Sequence, residues 1–215
     1  MVEIIPAILT NDIREIEEKF KRAESLAQRV QIDVLDGQFV ANRTVDPSFV
    51  GNIETDLSLD FHLMTKEPVD WVERAVRGGA DRIIGQIEQM ANQVEFVGKV
   101  AEVGLSVGLA LDLDSEVSEL DPTILNNLDV VLVMSVKAGF GGQKFDPRAI
   151  KKVKELDEIR VRDDTPFKIC VDGGITKENI KEVTKAGADE VAIGRRIFEG
   201  DLAQNLESFR KAAYG

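Results

Sequence analysis

The chain has little capacity for disulfide chemistry, a single histidine and a shortage of cations. Its 215 residues contain one cysteine, Cys170. An intrachain disulfide is therefore excluded, and a reducing compartment is implied. Because Cys170 lies in an apolar run, its thiol reads as a small buried hydrophobe. Lysine and arginine total 27 against 39 acids, for a net charge of −12. That balance argues against a nucleic-acid surface, which needs clustered cations. It leaves room for one small phosphorylated ligand, which backbone N–H groups can hold without net positive charge. Long apolar runs are missing as well. The opening stretch from Met1 to Leu9 carries an acid and a proline and reads neither as a signal peptide nor as a membrane span. Low-complexity segments and charged tails are absent. Together these absences predict one soluble, cytoplasmic domain over residues 1–215 with no membrane partner.

What is present is an alternation. Short runs rich in Val and Ile occur at Ile4–Leu9, Val30–Leu35, Leu57–Met64, Arg82–Ile87, Ser106–Leu111, Val130–Val136, Phe167–Val171 and Glu190–Ile193. They lack strict alternation, as strands buried on both faces should. Between them lie amphipathic stretches: Asn11–Leu26, Pro68–Gly78, Asn92–Val103 and Lys177–Ala186, with capping residues or proline at their starts and glycine at their stops. Pro47–Ile53 and Asp121–Leu128 leave room only for short helices. A faint repeat, Gly-Gly-Ala-Asp at Gly78–Asp81 and Ala-Gly-Ala-Asp at Ala186–Asp189, falls where a helix stops and a strand starts. Eight strands with intervening helices predict a parallel (β/α)8 TIM barrel. An open doubly wound sheet would usually carry a Gly-x-Gly-x-x-Gly turn after the first strand, and here that turn is Thr10-Asn11-Asp12.

In a barrel the C-terminal strand ends face the mouth, so polar residues there are the candidates for chemistry. Asp33 sits between Ile32 and Val34, where an unpartnered carboxylate would be costly to bury. Asp172 ends the seventh run before Gly173-Gly174, and His62 lies in the third run. A lone histidine is commonly structural; its position beside two strand-end carboxylates favours a role in the site. Met64 and Met134 read from spacing alone as core packing. Three glycine sets follow consecutive strands: Gly139-Phe140-Gly141-Gly142, Gly173-Gly174, and Gly194 before Arg195-Arg196. Each alone is turn chemistry. Together they predict phosphate binding at the mouth.

Several stretches taken in order resemble the ribulose-phosphate 3-epimerase family over essentially the whole chain. They are Ile5-Pro6-Ala7-Ile8-Leu9, Ile32-Asp33-Val34-Leu35-Asp36-Gly37, Phe61-His62-Leu63-Met64, Val133-Met134-Ser135-Val136 with Gly139-Phe140-Gly141-Gly142-Gln143, and Val171-Asp172-Gly173-Gly174-Ile175. The resemblance implies interconversion of D-ribulose 5-phosphate and D-xylulose 5-phosphate through an enediolate, with Asp33 and Asp172 exchanging the proton at C3. It implies a sugar phosphate held by His62, Met64, Met134, Gly141, Gly142, Gly173, Gly174, Gly194 and Arg195. It also implies a divalent metal (Zn, Mn, Fe or Mg) on Asp33, His62 and Asp172, and a homo-oligomer is common among such barrels.

The sequence departs from that family at several positions. Gln31 stands where the family has its first metal-binding histidine, Gln86 where a further histidine is common, and Ala7 where it has serine. Leu35 replaces a methionine, and Ala41-Asn42-Arg43-Thr44, Lys137-Ala138 and Arg195 are also changed. A glutamine offers a neutral amide oxygen, which makes a poorer zinc site and favours Mn²⁺ or Mg²⁺; operation without a metal is the alternative. Lys137 supplies replacement charge if it folds over the mouth, and is otherwise solvated. Arg195 either clamps phosphate or merely begins a helix. Arg43 either marks a changed substrate or is an exposed loop charge. The leading expectation is an epimerase; a hexulose 6-phosphate epimerase, a catalytically silent sugar-phosphate-binding barrel and a related Mg²⁺-dependent lyase are the alternatives.

Overall fold

Eight short parallel strands close on themselves in the computed structural model, which describes residues 1–215. They are β1 (Glu3–Ile8), β2 (Arg29–Leu35), β3 (Ser58–Met64), β4 (Arg82–Gln86), β5 (Ser106–Leu111), β6 (Val130–Met134), β7 (Lys168–Asp172) and β8 (Glu190–Ile193). Each pairs with its sequence neighbour, and β1 pairs with β8. This is the expected (β/α)8 barrel, with β5 and β8 as expected and the other strand ends displaced by no more than two residues. The seventh strand extends to Asp172 itself, whereas the sixth stops at Met134. Just past β6, Ser135 stays tied to the end of β7: both its backbone N–H and its hydroxyl donate to the carbonyl of Asp172.

The outer helices are α1 (Ile13–Ala23), α2 (Val72–Arg77), α3 (Gln93–Glu102), α4 (Arg148–Asp163), α5 (Ile180–Lys185), α6 (Arg195–Phe198) and α7 (Leu202–Tyr214). Asp12 caps α1 by accepting from the Arg14 N–H, and Asn92 caps α3 from Glu95. The stretches expected to hold only short helices form 3₁₀ turns at Pro47–Asn52 and Leu125–Asn127. Pro68–Gly78 is divided: Pro68–Trp71 is a 3₁₀ turn and α2 follows. Two long helices, α4 and α7, lie outside the expected stretches. The first has Pro147 at its start, with the preceding Asp146 accepting from the Arg148 N–H at 2.9 Å. The second has a cap, Asp201, which accepts from Gln204.

Apolar side chains separate into two layers. The larger cluster fills the space between barrel and helices, including Phe20, Phe61, Phe96 and Phe167. A smaller one of 12 residues, including Leu35, Met64, Leu132, Met134 and Cys170, occupies the barrel interior. That interior cluster is small because polar residues fill much of the lumen. At its base Arg82 bridges Asp60 and Glu190, both fully buried, and Arg29 and Lys168 add further ion pairs from the rim.

The Gly/Ala-Gly-Ala-Asp repeat has a chemical reason. Gly79 and Gly187 take positive φ of 82° and 118°, which ends the preceding helices. Asp81 then accepts from the Leu59 N–H at 2.8 Å and Asp189 from the Ile169 N–H at 2.9 Å. Asp129 does the same for Val107 at 2.7 Å. These carboxylates tie the strand starts at the bottom face, leaving the opposite face for the site.

Candidate active site

Strand geometry brings the candidates together. Gln31 and Asp33 are two apart on β2, so both side chains leave the same face of the sheet. Asp33 lies level with His62 on β3, and Met134 on β6 lies level with Asp172 on β7. The side-chain amide of Gln31 donates from Nε2 to Asp33 Oδ1 at 2.9 Å and to Asp172 Oδ2 at 2.6 Å. His62 Nδ1 lies 3.3 Å from Asp33 Oδ1 and 3.9 Å from Asp172 Oδ2. His62 Nε2 meets Gln86 Oε1 at 2.8 Å.

Above this cluster opens a cavity of about 330 Å³, a size suited to a small ligand. Asp33, Met64, Met134, Asp172, Gly141, Gly142, Gly173, Gly174, Gly194 and Arg195 all line it. Gln31 and His62 do not; both are fully buried and lie behind the carboxylates they touch. Arg195 lies at the rim, largely exposed, with Nε 3.1 Å from Glu199. Lys137 does not fold over the mouth: its ammonium pairs with Asp114 at 3.2 Å in solvent. Arg43 is turned to the Asp36 carbonyl at 3.1 Å and is no part of this cavity wall. Glu15 and Lys19 of α1 do belong to the wall, and nothing in the sequence marks them. Their i,i+4 spacing reads as an ordinary solvated helix pair.

The loop conformation depends on glycine. Gly173 and Gly174 adopt φ of 105° and 60°, and a Cβ on Gly174 would stand 2.4 Å from the Phe145 backbone nitrogen. The neighbouring Gly-rich loop is tied at its base by Gln143, whose amide donates to the carbonyls of Lys137 and Phe140 at 2.7 and 2.8 Å. Phe140 is left half-exposed at the cavity rim.

Proximity of two carboxylates shapes the proton affinities. Burial, then the charge of Asp33, pushes Asp172 up from 3.8 to about 7, against the lowering influence of His62, Gln31 and the Gly173 N–H. His62 is pulled down by burial, but the hydrogen bond and charge of Asp33, the charge of Asp172 and Gln86 outweigh this and raise it.

One ligand atom each from Asp33, His62 and Asp172 lies within 4.8 Å of the others, close enough to converge on one divalent ion. Gln31 bears on that fit. Its Oε1 is buried without a hydrogen-bond partner, while its Nε2 occupies the space between the carboxylates. Turning the amide over would exchange the two atoms and offer a cation between the carboxylates a fourth donor, the third through oxygen. Two carboxylates, an amide oxygen and one imidazole form a donor set that fits a hard divalent cation.

A closed parallel barrel with two aspartates and a histidine converging below a mouth cavity defines a TIM-barrel enzyme. The family model described as "Ribulose-phosphate 3 epimerase family" matches residues 3–198. The ribulose-phosphate 3-epimerase of Chlamydia trachomatis is 36% identical over 93% of this chain and 88% of its own length. The Bacillus subtilis ribulose-phosphate 3-epimerase is 34% identical over 98% of this chain and 99% of its own. The chain belongs to the ribulose-phosphate 3 epimerase family and is an enzyme of the isomerase class. Among solved structures, KGPDC from Streptococcus mutans superposes with a TM-score of 0.76 at 13% identity, covering 99% of this chain and 97% of that one, a likeness of fold. No helix is long and apolar enough to cross a membrane.

Proposed function

We propose that the chain is a ketose-phosphate 3-epimerase interconverting D-ribulose 5-phosphate and D-xylulose 5-phosphate. The observation that carries this reading is the pair Asp33 and Asp172, joined through the Gln31 amide at 2.9 and 2.6 Å on the wall of one cavity. Inversion at C3 needs one carboxylate to remove the proton from one face and a second to deliver one to the other. Of two close carboxylates, one must keep its proton, and Asp172 holds its own up to about 7. Asp33 then takes the C3 proton, the electron pair passes into an enediolate, and Asp172 protonates C3 from the opposite side. In the reverse direction the two exchange roles.

Met64 and Met134 give the intermediate an apolar wall, which strengthens electrostatic interactions by excluding water. Asp33, His62 and Asp172, with Gln31 in place of the family histidine, are the residues that would hold a divalent metal. When bound, it supplies Lewis-acid stabilisation of the negative oxygens. Gly141, Gly142, Gly173, Gly174 and Gly194 bring backbone close to the cavity without side chains, the arrangement a phosphate needs. Arg195 at the rim adds a cation suited to phosphate oxygens.

The test is conversion of purified D-ribulose 5-phosphate to D-xylulose 5-phosphate, followed by NMR, with a hexulose 6-phosphate in parallel and Mn²⁺, Zn²⁺ or Mg²⁺ added in turn. Conversion of the pentulose supports the reading. Conversion of the hexulose alone would move the substrate, and tight binding without conversion would leave a silent sugar-phosphate-binding barrel.

A further inference from the structure

His62 is held from behind by a chain of hydrogen bonds that ends at the surface. Gln86, on β4 and fully buried, receives His62 Nε2 on its Oε1 at 2.8 Å and donates its Nε2 to Glu88 Oε2 at 2.9 Å. The other oxygen of Glu88 accepts from the Asp112 N–H at 2.6 Å and the Ser115 hydroxyl at 2.7 Å. The direction of this chain follows from chemistry. An ionised carboxylate only accepts, so the amide group of Gln86 facing Glu88 must be its NH₂. Its oxygen therefore faces His62, and the ring nitrogen meeting that oxygen must carry the hydrogen. The backbone N–H of Asp112 cannot reverse its role, which fixes Glu88 at the far end.

We propose that Gln86 and Glu88 are positioning residues that hold His62 with its hydrogen on Nε2, so that Nδ1 is always the atom presented to Asp33 and Asp172. A ring free to choose would place the hydrogen on Nδ1, facing Asp33 Oδ1 at 3.3 Å, and lose the ability to offer a lone pair there. With Gln86 and Glu88 in place, Nδ1 is available to the cation or proton between the carboxylates. Outer partners that orient a ligating histidine are typically worth 10–100-fold in metal affinity or activity. For its kinetic consequence the inference rests on the epimerase reading; for its structural consequence it does not.

His62 is the sole histidine, so the imidazole nitrogen signals of ¹⁵N-histidine-labelled protein belong to it alone. In the wild-type chain NMR should find a hydrogen on Nε2. In Glu88→Lys, where the acceptor becomes a donor, and in Glu88→Ala, where it is removed, that Nε2–H signal should be lost or broadened by exchange. Glu88 is solvent-exposed, so both variants should fold, and circular dichroism confirms it. Turnover of D-ribulose 5-phosphate should fall roughly 10–100-fold in both, with KM changed less than about threefold. A bare Nε2 in the wild type, or an Nε2–H signal unchanged in both folded variants, overturns the proposal. The NMR changes without any wild-type turnover would uphold the positioning role and remove the epimerase reading instead.

Discussion

The amide nitrogen of Gln31 lies 2.6 Å from Asp172 Oδ2, across 141 residues of sequence. A neutral amide donor thus occupies the gap between two carboxylates, at a position where the resemblance implies an imidazole. Gln31→His should restore a nitrogen ligand and raise Zn²⁺ affinity by at least about tenfold, or ~1.4 kcal/mol. Competition against a chelator of known affinity measures it; unchanged affinity would show that position 31 is no ligand site.

Asp172 is expected to trade stability for reactivity. Its folded value of about 7 lies above 3.8, so the folded chain binds this proton more tightly than the unfolded one. The stability gained from it is complete below 3.8 and declines as pH rises, until it is exhausted above about 7. Asp172→Asn removes the charge, and the asparagine oxygen can still accept from Gln31. Urea unfolding at pH 8 should find the variant more stable by about 1–3 kcal/mol, with little difference at pH 4. Turnover should fall by roughly 10²–10⁴ or more.

The buried ions at the base of the barrel make a second prediction about stability. Arg82→Met would leave Asp60 and Glu190, both fully buried, without their shared guanidinium. Breaking a buried pair from one side typically destabilises by about 3–5 kcal/mol. Urea denaturation should register a loss of that order, and a loss under about 1 kcal/mol would mean that Arg29 and Lys168 suffice.

At the glycine-rich end of the cavity, Gly174→Ala forces a Cβ against the Phe145 backbone at a φ of 60°. Local strain of about 1–3 kcal/mol follows, and the loop should shift rather than the barrel. The expected result is a KM for sugar phosphate raised about tenfold or more, with a melting temperature lowered by a few degrees. An unchanged KM would take the Gly173-Gly174 loop out of phosphate binding.

The barrel was legible because each of its eight strands is a short apolar run, and its bottom face because Asp81 and Asp189 repeat one turn chemistry. Asp33, His62 and Asp172 were legible as polar residues at strand ends. The base network was not. Arg82 is 22 residues from Asp60 and 108 from Glu190, separations at which no local pattern pairs them. Nor was the part played by Gln86: the sequence marks it as a missing histidine, and only the approach of β3 to β4 makes it the anchor of His62. Lys137 and Arg43, charged residues beside the mouth, found partners in Asp114 and the Asp36 carbonyl, because nearby acceptors in solvent compete effectively with a distant cavity.

The two-aspartate account is tested most directly by converting D-ribulose 5-phosphate in D₂O and stopping the reaction after a small fraction of turnover. On this account Asp172, on the wall of the open cavity, exchanges its proton with solvent before delivering it. The xylulose 5-phosphate formed should therefore carry deuterium at C3 from the first turnovers, while the remaining ribulose 5-phosphate keeps protium. Product with protium at C3, or deuterium entering the remaining substrate as fast as the product, would mean that one residue serves both faces and would contradict the account.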